Sequence, residues 1–377
     1  MLRQSYAAKK TVLEAARERM SFLFDNYESI VVSISGGKDS TVLAHLALSE
    51  ADRRERRIGL HFLDEEVLYQ SSVDQVEYLM GMFPNSTKKM WLQFPFLLTN
   101  ATSISEGQLR CWEPGQHKIW MRSKHAEAIK GKPWAQEDET VAVKNKGGLG
   151  FYDVIDNFAK TFTNTAFLVG LRAAGESPNR WRAVVKNPVD VNGHCVYWGT
   201  KKGNNKAFYP IYDWNFHDVW RYIYDEQLRY SSTYDYQFKK GYPINQMRVS
   251  SLIHEKSFKS ICDLPEFEPK TYNKLMKRVK GISMVQETGR NAKVFAVRKL
   301  PKNYDSWRIY RDFLLKTHSD IERKAIFEKR FSKQLDNEYV ARQQCRQLVL
   351  NDYENNLPVD NKPDPREALI QYYEEVL

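Results

Sequence analysis

Ser29-Ile30-Val31-Val32-Ser33-Ile34-Ser35-Gly36-Gly37-Lys38-Asp39-Ser40 is the stretch on which the fold of this chain turns. Its first half is short and β-branched, whereas Thr41, Val42, Leu43, Leu46 and Leu48 recur at helical spacing through Glu50. Gly36 and Gly37 therefore fall on a strand-to-helix turn. Two adjacent glycines let anionic oxygens approach the backbone, the N–H groups of a first helical turn point at them, and the helix dipole favours their charge. Lys38 adds a mobile cation, and Ser35 and Ser40 add hydroxyl donors. The stretch is not the G-x-x-x-x-G-K-[ST] loop of kinases and GTPases, because Val32 and Asp39 stand where that pattern needs glycine and a hydroxyl.

Outward from this turn, Arg57 to Leu63 reads as a second buried strand ending at Asp64-Glu65-Glu66. A helical run follows through Val73, Val76, Leu79 and Met80, and a third strand is expected at Lys89–Phe94. Such a β-α-β-α-β series predicts an α/β fold with a doubly wound, mainly parallel sheet whose ligands sit at the carboxyl ends of the strands. Asp64 then shares an edge with Gly36 and Gly37. Residues 95–160, interrupted by prolines and glycines, read as an insertion with a helix from about Lys118 to Ile129. The sheet resumes at Thr165–Leu171, a helix is expected at Glu176, and Cys195–Trp198 with Ala207–Tyr209 reads as a hairpin turning at residues 201–205. Beyond about residue 250 the chain reads as basic helices. The expected organisation is an α/β domain over residues 1–245 and a helical region over 246–377.

A length of 377 residues allows a large core or two domains, and a formal net charge of +10 favours polyanionic partners such as a nucleotide or nucleic acid. The C-terminal Lys and Arg run reads first as a solvated helix face, with a weak DNA or RNA contact as the alternative. No apolar stretch approaches bilayer length and no signal-peptide core is present, so a cytoplasmic protein without membrane contact is expected. Cys111, Cys195, Cys262 and Cys345 are widely spaced, which gives no local support to zinc or an iron–sulfur cluster.

A second constellation follows the fourth strand. Gly170-Leu171-Arg172-Ala173-Ala174-Gly175-Glu176-Ser177 places a cation and a carboxylate at that strand's end, and Tyr209-Pro210-Ile211-Tyr212-Asp213-Trp214 runs into Asn215–Trp220. Asn215 reads as a helix N-cap with Asp218 closing a capping box, a structural role. The loop S-G-G-K-D-S resembles the pyrophosphate-binding loop of the ATP pyrophosphatase superfamily. Together the four motifs, in this order, resemble the phosphoadenosine phosphosulfate reductase family in its broad sense, over roughly residues 28–225. That family includes the reductases, the small catalytic subunit of ATP sulfurylase and DndC. The insertion and helical C-terminus make the chain most similar to the branch containing the immunoglobulin-binding regulator A protein, often encoded beside a ParB-like partner.

The resemblance implies an adenine nucleotide α-hydrolase-like fold. It implies that Ser33, Ser35, Gly36, Gly37, Lys38, Asp39 and Ser40 hold phosphates, together with Gly170. Asp64 would lie near a ribose or Mg²⁺, Arg172 would reach the phosphoryl or sulfonucleotide end, and Glu176 and Arg180 would orient Arg172. The reductases' C-terminal cysteine motif is missing. The remaining chemistry is attack by an acceptor on the α-phosphorus of ATP, with Lys38, Asp39 and Arg172 as catalytic residues and Asp39 and Asp64 as carboxylates for Mg²⁺. Asp39 has an alternative role in complementing the helix dipole. The leading expectation is thus an ATP pyrophosphatase or adenylyltransferase-like transferase acting with a partner in a nucleic-acid-linked or mobile-element pathway. The alternatives are a sulfonucleotide reductase using a partner's thiol or Cys111, whose neighbour Arg110 would favour the thiolate, and a non-catalytic nucleotide-sensing transcriptional co-regulator.

Overall fold

The computed structural model describes residues 9–103, 106–129, 148–174, 184, 188–202, 205–288, 299–355, 357 and 359–361. The chain divides into two compact units, one of residues 1–97 and 110–251, the other of 98–109 and 252–377.

The first unit is built on a six-stranded sheet. Its strands are β1 (Ser29–Ser33), β2 (Ile58–Leu63), β3 (Thr87–Leu92), β6 (Thr165–Val169), β9 (Gly199–Lys202) and β10 (Asn205–Phe208), in the order β3-β2-β1-β6-β10-β9. All neighbours run parallel except β9, which is antiparallel to β10. The order reverses beside β1, since β2 and β3 extend to one side and β6 and β10 to the other, and this is the switch point at which open α/β sheets bind ligands. Two short pairs complete the strands: β4 (Phe96–Thr99) with β5 (Gln108–Cys111), and β7 (Val189–Val191) with β8 (His194–Val196).

Every residue of β2 is buried, as befits a parallel strand covered on both faces. Period-two alternation assigns the two sides. Ile30, Val32, Leu60, Phe62, Ala166, Leu168 and Phe208 join one core with α1 (Val12–Asn26), α2 (Lys38–Arg53), α3 (Gln70–Gly81) and α5 (Phe216–Asp225). On the other face, His61 stacks on Phe158 of α4 (Phe151–Lys160), ring centroids 4.4 Å apart, and Phe167 meets Phe162. Helices therefore cover both faces, and the doubly wound parallel sheet expected from the sequence is present.

The fourth motif has the structural role its capping pattern implied. The Asn215 side chain accepts the Asp218 N–H and the Asp218 side chain accepts the Asn215 N–H. Asp213, 1% exposed, is gripped by the two terminal guanidinium nitrogens of Arg19 at 2.8 Å, and Trp214 donates to the Val12 carbonyl at 3.0 Å. The motif thus fastens α1 to the end of β10.

Two expected elements differ. Residues 118–129 form turns, with i→i+3 bonds such as Ile119 N–H to the Gln116 carbonyl. Their side chains and backbone are tied across space instead of along a helix. The expected single hairpin is two hairpins: Val189–Val191 pairs with His194–Val196, and Gly199–Lys202 with Asn205–Phe208. The first turns at Asn192-Gly193, both with positive φ (50° and 83°), the conformation that favours Asn-Gly between twisted strands. The helix expected at Glu176 lies outside the described residues.

The second unit is helical, as expected for the C-terminal region: α7 (Phe258–Phe267), α8 (Pro269–Arg278), α9 (Ile282–Thr288), α10 (Trp307–Lys316), α11 (Ile321–Phe331) and α12 (Glu338–Val349). Much of its charge is paired internally, Arg308 with Glu338, Arg311 with Asp336 and Arg346 with Glu255. No helix among the described residues is long and apolar enough to cross a membrane.

Candidate functional site

The carboxyl end of β1 leads through Ser35-Gly36-Gly37 into the N-terminus of α2. Gly36 has φ of 72°, and a Cβ there would lie 2.2 Å from the Ser72 carbonyl oxygen, so no other residue fits. Gly37 caps α2 in ordinary extended geometry (φ −81°, ψ 159°). Its lack of a side chain matters for access, not for conformation. Ser35 and Ser40 brace the loop: the Ser40 hydroxyl accepts the Ser35 N–H at 3.2 Å and donates to the Gly37 carbonyl at 2.9 Å. Ser33 ends β1 opposite His61 and Val169.

Gly170 permits the next approach. A Cβ on it would meet the Asp39 carbonyl group and the Ser40 nitrogen at 3.2 Å, so glycine lets the end of β6 close tightly onto the first turn of α2. That closure delivers Arg172, whose Nε donates to Asp39 Oδ1 at 2.7 Å, while Lys38 Nζ contacts Asp39 Oδ2 at 3.1 Å. Both cations are buried, at 8% and 7% side-chain exposure, and the carboxylate between them is 27% exposed. Lys38, Asp39, Gly170 and Arg172 are thus brought together at the positive end of α2, two cations against one carboxylate. Lys38, expected as a mobile cation, is buried and held against Asp39. Glu176 and Arg180 lie outside the described residues.

Asp64 is also at this edge, but its expected role as a magnesium ligand is corrected. It is fully buried. Oδ1 accepts the Glu66 N–H at 3.0 Å and a guanidinium N–H of Arg122; Oδ2 accepts Trp91 Nε1 at 2.9 Å and Gln93 Nε2 at 2.6 Å. Four donors saturate the lone pairs of a carboxylate and leave none for a metal or a ribose. Glu66, at φ 62°, accepts the Trp112 N–H at 2.6 Å, and Arg122 donates to the Glu66 carbonyl at 2.7 Å. Asp64 and Glu66 therefore anchor residues 111–122 to the end of β2. Among the described residues no three His, Cys, Asp or Glu side chains gather as a metal site. Asp39, with each oxygen on a cation, does not build one alone.

The cysteines are separated. Cys111 is fully buried and donates to the Glu65 carbonyl at 3.1 Å. Cys262 and Cys345 are buried, and burial pushes the Cys345 thiol up to about 12. Cys195 is exposed on β8. There it neighbours Asn192, which contacts Asn26 near the start of β1, at the opposite strand end from the loop.

Residues beyond the four motifs complete the site. The Tyr234 hydroxyl accepts the Lys38 backbone N–H at 3.1 Å, and Trp91, Gln93 and Arg122 saturate Asp64. Their partners are distant in sequence, and no local periodicity signals them.

A parallel sheet with a glycine turn and paired cations at its switch point defines a phosphate-loop, nucleotide-binding α/β protein. More particularly, the chain belongs to the phosphoadenosine phosphosulfate reductase domain family, which it matches over residues 29–269. Residues 241–343 match a domain of unknown function, DUF3440. The chain is 26% identical over 313 residues to the uncharacterized protein YbdN of Escherichia coli (strain K12), covering 81% of this chain and 74% of that protein. Among solved structures it is similar to a phosphoadenylyl-sulfate reductase from Candida auris, with 13% identity, 59% of this chain, 84% of that chain and a TM-score of 0.35. It is also similar to the NH3-dependent NAD synthetase of Campylobacter jejuni, with 10% identity, coverages of 77% and 98% and a TM-score of 0.30.

Proposed function

We propose that this protein is an enzyme that binds ATP at the loop and lets an acceptor attack the α-phosphorus, breaking its bond to the bridging oxygen and releasing pyrophosphate. The observation that carries the reading is Asp39 held between Lys38 and Arg172 at the N-terminus of α2. The carboxylate positions two cations before any anion arrives. A departing pyrophosphate would then meet charge already in place, the preorganisation from which such sites derive most of their acceleration. This step needs no covalent nucleophile from the protein. Reduction of a sulfonucleotide by a thiol of this chain has less support, because Cys111, Cys262 and Cys345 are buried and Cys195 lies at the far strand end. The acceptor, and a partner such as a ParB-like protein or a nucleic acid met by the basic helices, would be supplied separately.

The test is incubation of the full chain with ATP and Mg²⁺, with AMP, ADP, pyrophosphate and phosphate resolved, beside a calorimetric ATP titration of the parent and of Lys38→Ala. With water standing in for the acceptor, AMP with pyrophosphate is expected from the parent, and at least about tenfold weaker ATP binding from Lys38→Ala, the loss expected of one charge-assisted contact. ADP with phosphate as products, or thiol-dependent sulfite from phosphoadenosine phosphosulfate, would overturn the proposal. So would a Lys38→Ala protein that binds ATP as the parent does.

A further inference from the structure

The segment after α5 brings to the loop a group that none of the four motifs contains. Tyr234, in the helix α6 (Thr233–Lys239), is 3% exposed, and its hydroxyl oxygen accepts the Lys38 backbone N–H at 3.1 Å. The ring stands edge-on to Trp220, centroids 5.2 Å apart, in a buried cluster with Tyr242 and Met247, and Lys38 Nζ lies 5.7 Å from its centroid. Gln237, also buried, donates to the Arg248 carbonyl at 2.8 Å and accepts the Arg248 N–H at 3.0 Å, which sets the path of the chain into Val249. A Cβ built on Gly37 would meet Val249 Cγ2 at 3.5 Å and the Tyr234 hydroxyl at 3.6 Å. The hydroxyl therefore stands over the Gly37–Lys38 peptide, where the N-terminus of α2 would meet an anion.

A phenol that accepts one hydrogen bond still has its own proton to give. Among the described residues no acceptor takes it. Burial and the nearby Asp39 carboxylate push the phenol's pKa up, so the proton stays on the oxygen at neutral pH. The ring is fixed on several sides, which fits a permanent part of the site and not a stopper that swings away.

We propose that Tyr234 is a binding residue of the loop: its hydroxyl takes over the first backbone donor of α2 and presents an O–H donor to an oxygen of the polyphosphate chain. The proposal rests on the nucleotide reading of the loop given above. It extends the phosphate site to a residue 196 positions downstream of Lys38.

The experiment titrates the full-length parent and Tyr234→Phe with inorganic pyrophosphate and with ATP and Mg²⁺, following heat and the tyrosine ultraviolet difference spectrum, with melting curves as the control for folding. The variant is expected to bind both ligands about tenfold more weakly, as the loss of one hydrogen bond to a charged group requires. The parent is expected to show a ligand-induced tyrosine difference band that the variant lacks. A folded variant that binds as tightly as the parent, or more tightly because the hydroxyl excludes the anion, overturns this proposal and leaves the nucleotide reading standing. A parent that binds neither ligand overturns both. Should Tyr234→Phe fail to fold, the parent's spectrum decides, a pyrophosphate-induced tyrosine band supporting the proposal and its absence ending it.

Discussion

Asp39 and Asp64 each pair with an arginine from a distant segment at the carboxyl end of neighbouring strands, yet they are built for different ends. Asp64 is fully buried and meets four donors, so every lone pair is used and the arrangement is complete without a ligand. Asp39 is 27% exposed and meets two cations, Lys38 and Arg172, at the N-terminus of α2. The difference shows that carboxylate-plus-arginine at a strand end does not define a site. The saturation of the carboxylate's lone pairs and its exposure do.

The largest effects should come from removing the arginines. Arg122→Ala leaves a buried carboxylate without its cation and is expected to lower stability by about 3–5 kcal/mol in urea denaturation. Arg172→Ala leaves a partly hydrated carboxylate that keeps Lys38, so it should cost less, about 1.5–3 kcal/mol of stability, while weakening ATP binding at least about tenfold. Equal stability losses in the two variants would erase the distinction between the clusters.

The two glycines sharpen it within one loop. Gly36→Ala forces a Cβ against the Ser72 carbonyl oxygen in a left-handed conformation and should destabilise the fold by about 2 kcal/mol or more. Gly37→Ala adds a Cβ in ordinary contact and ordinary geometry, so stability should stay within about 0.5 kcal/mol. Its ATP affinity should nevertheless fall, because the new methyl faces the hydroxyl of Tyr234 where the anion enters. Melting curves with ATP titrations on both variants check the pair.

The smallest effect concerns the background on which such measurements are read. His45, on α2, meets the Tyr222 hydroxyl at 2.8 Å, and burial lowers its pKa below the ordinary 6.5. A histidine whose folded pKa is depressed binds fewer protons folded than unfolded, so its contribution is present above about pH 6.5 and is lost as the pH falls below it. Melting temperature between pH 8 and 5 should therefore fall less steeply in His45→Gln than in the parent. An unchanged slope would assign the acid sensitivity elsewhere.

The sheet was legible because its signals are local. The β-branched run, the glycine turn and the helical spacing after Ser40 lie within about two turns of one another, and β1, α2, β2 and β6 follow from them. The Asn215–Asp218 capping box was legible for the same reason. The hairpin at Asn192-Gly193 carried a strong local signal that the more basic stretch at 201–205 overshadowed. The helix expected at 118–129 failed because tertiary partners outbid local spacing: Arg122 and Met121 bond to Glu66, and His125 stacks on Trp91 with centroids 4.4 Å apart. Of the site, Lys38, Asp39 and Arg172 were visible as types in order, whereas the saturation of Asp64 and the hydroxyl over Lys38 depend on contacts made across the fold.

The clasp of Asp213 by Arg19 has a consequence for the making of the molecule. The partner of α1 arrives 194 residues later in the chain, and β1 waits for its neighbour β6 across the whole insertion. Pairings of such separation carry a loop-closure cost before they return any stability, which slows folding and leaves strand edges uncovered meanwhile. During synthesis β1, β2 and β3 leave the ribosome before β6, the other neighbour of β1, and the sheet can be completed only after β10 (Asn205–Phe208) and Asp213 of the clasp have followed. Protein truncated before that point should collect as aggregate, and the yield of folded chain should depend on how long the nascent fragment is shielded.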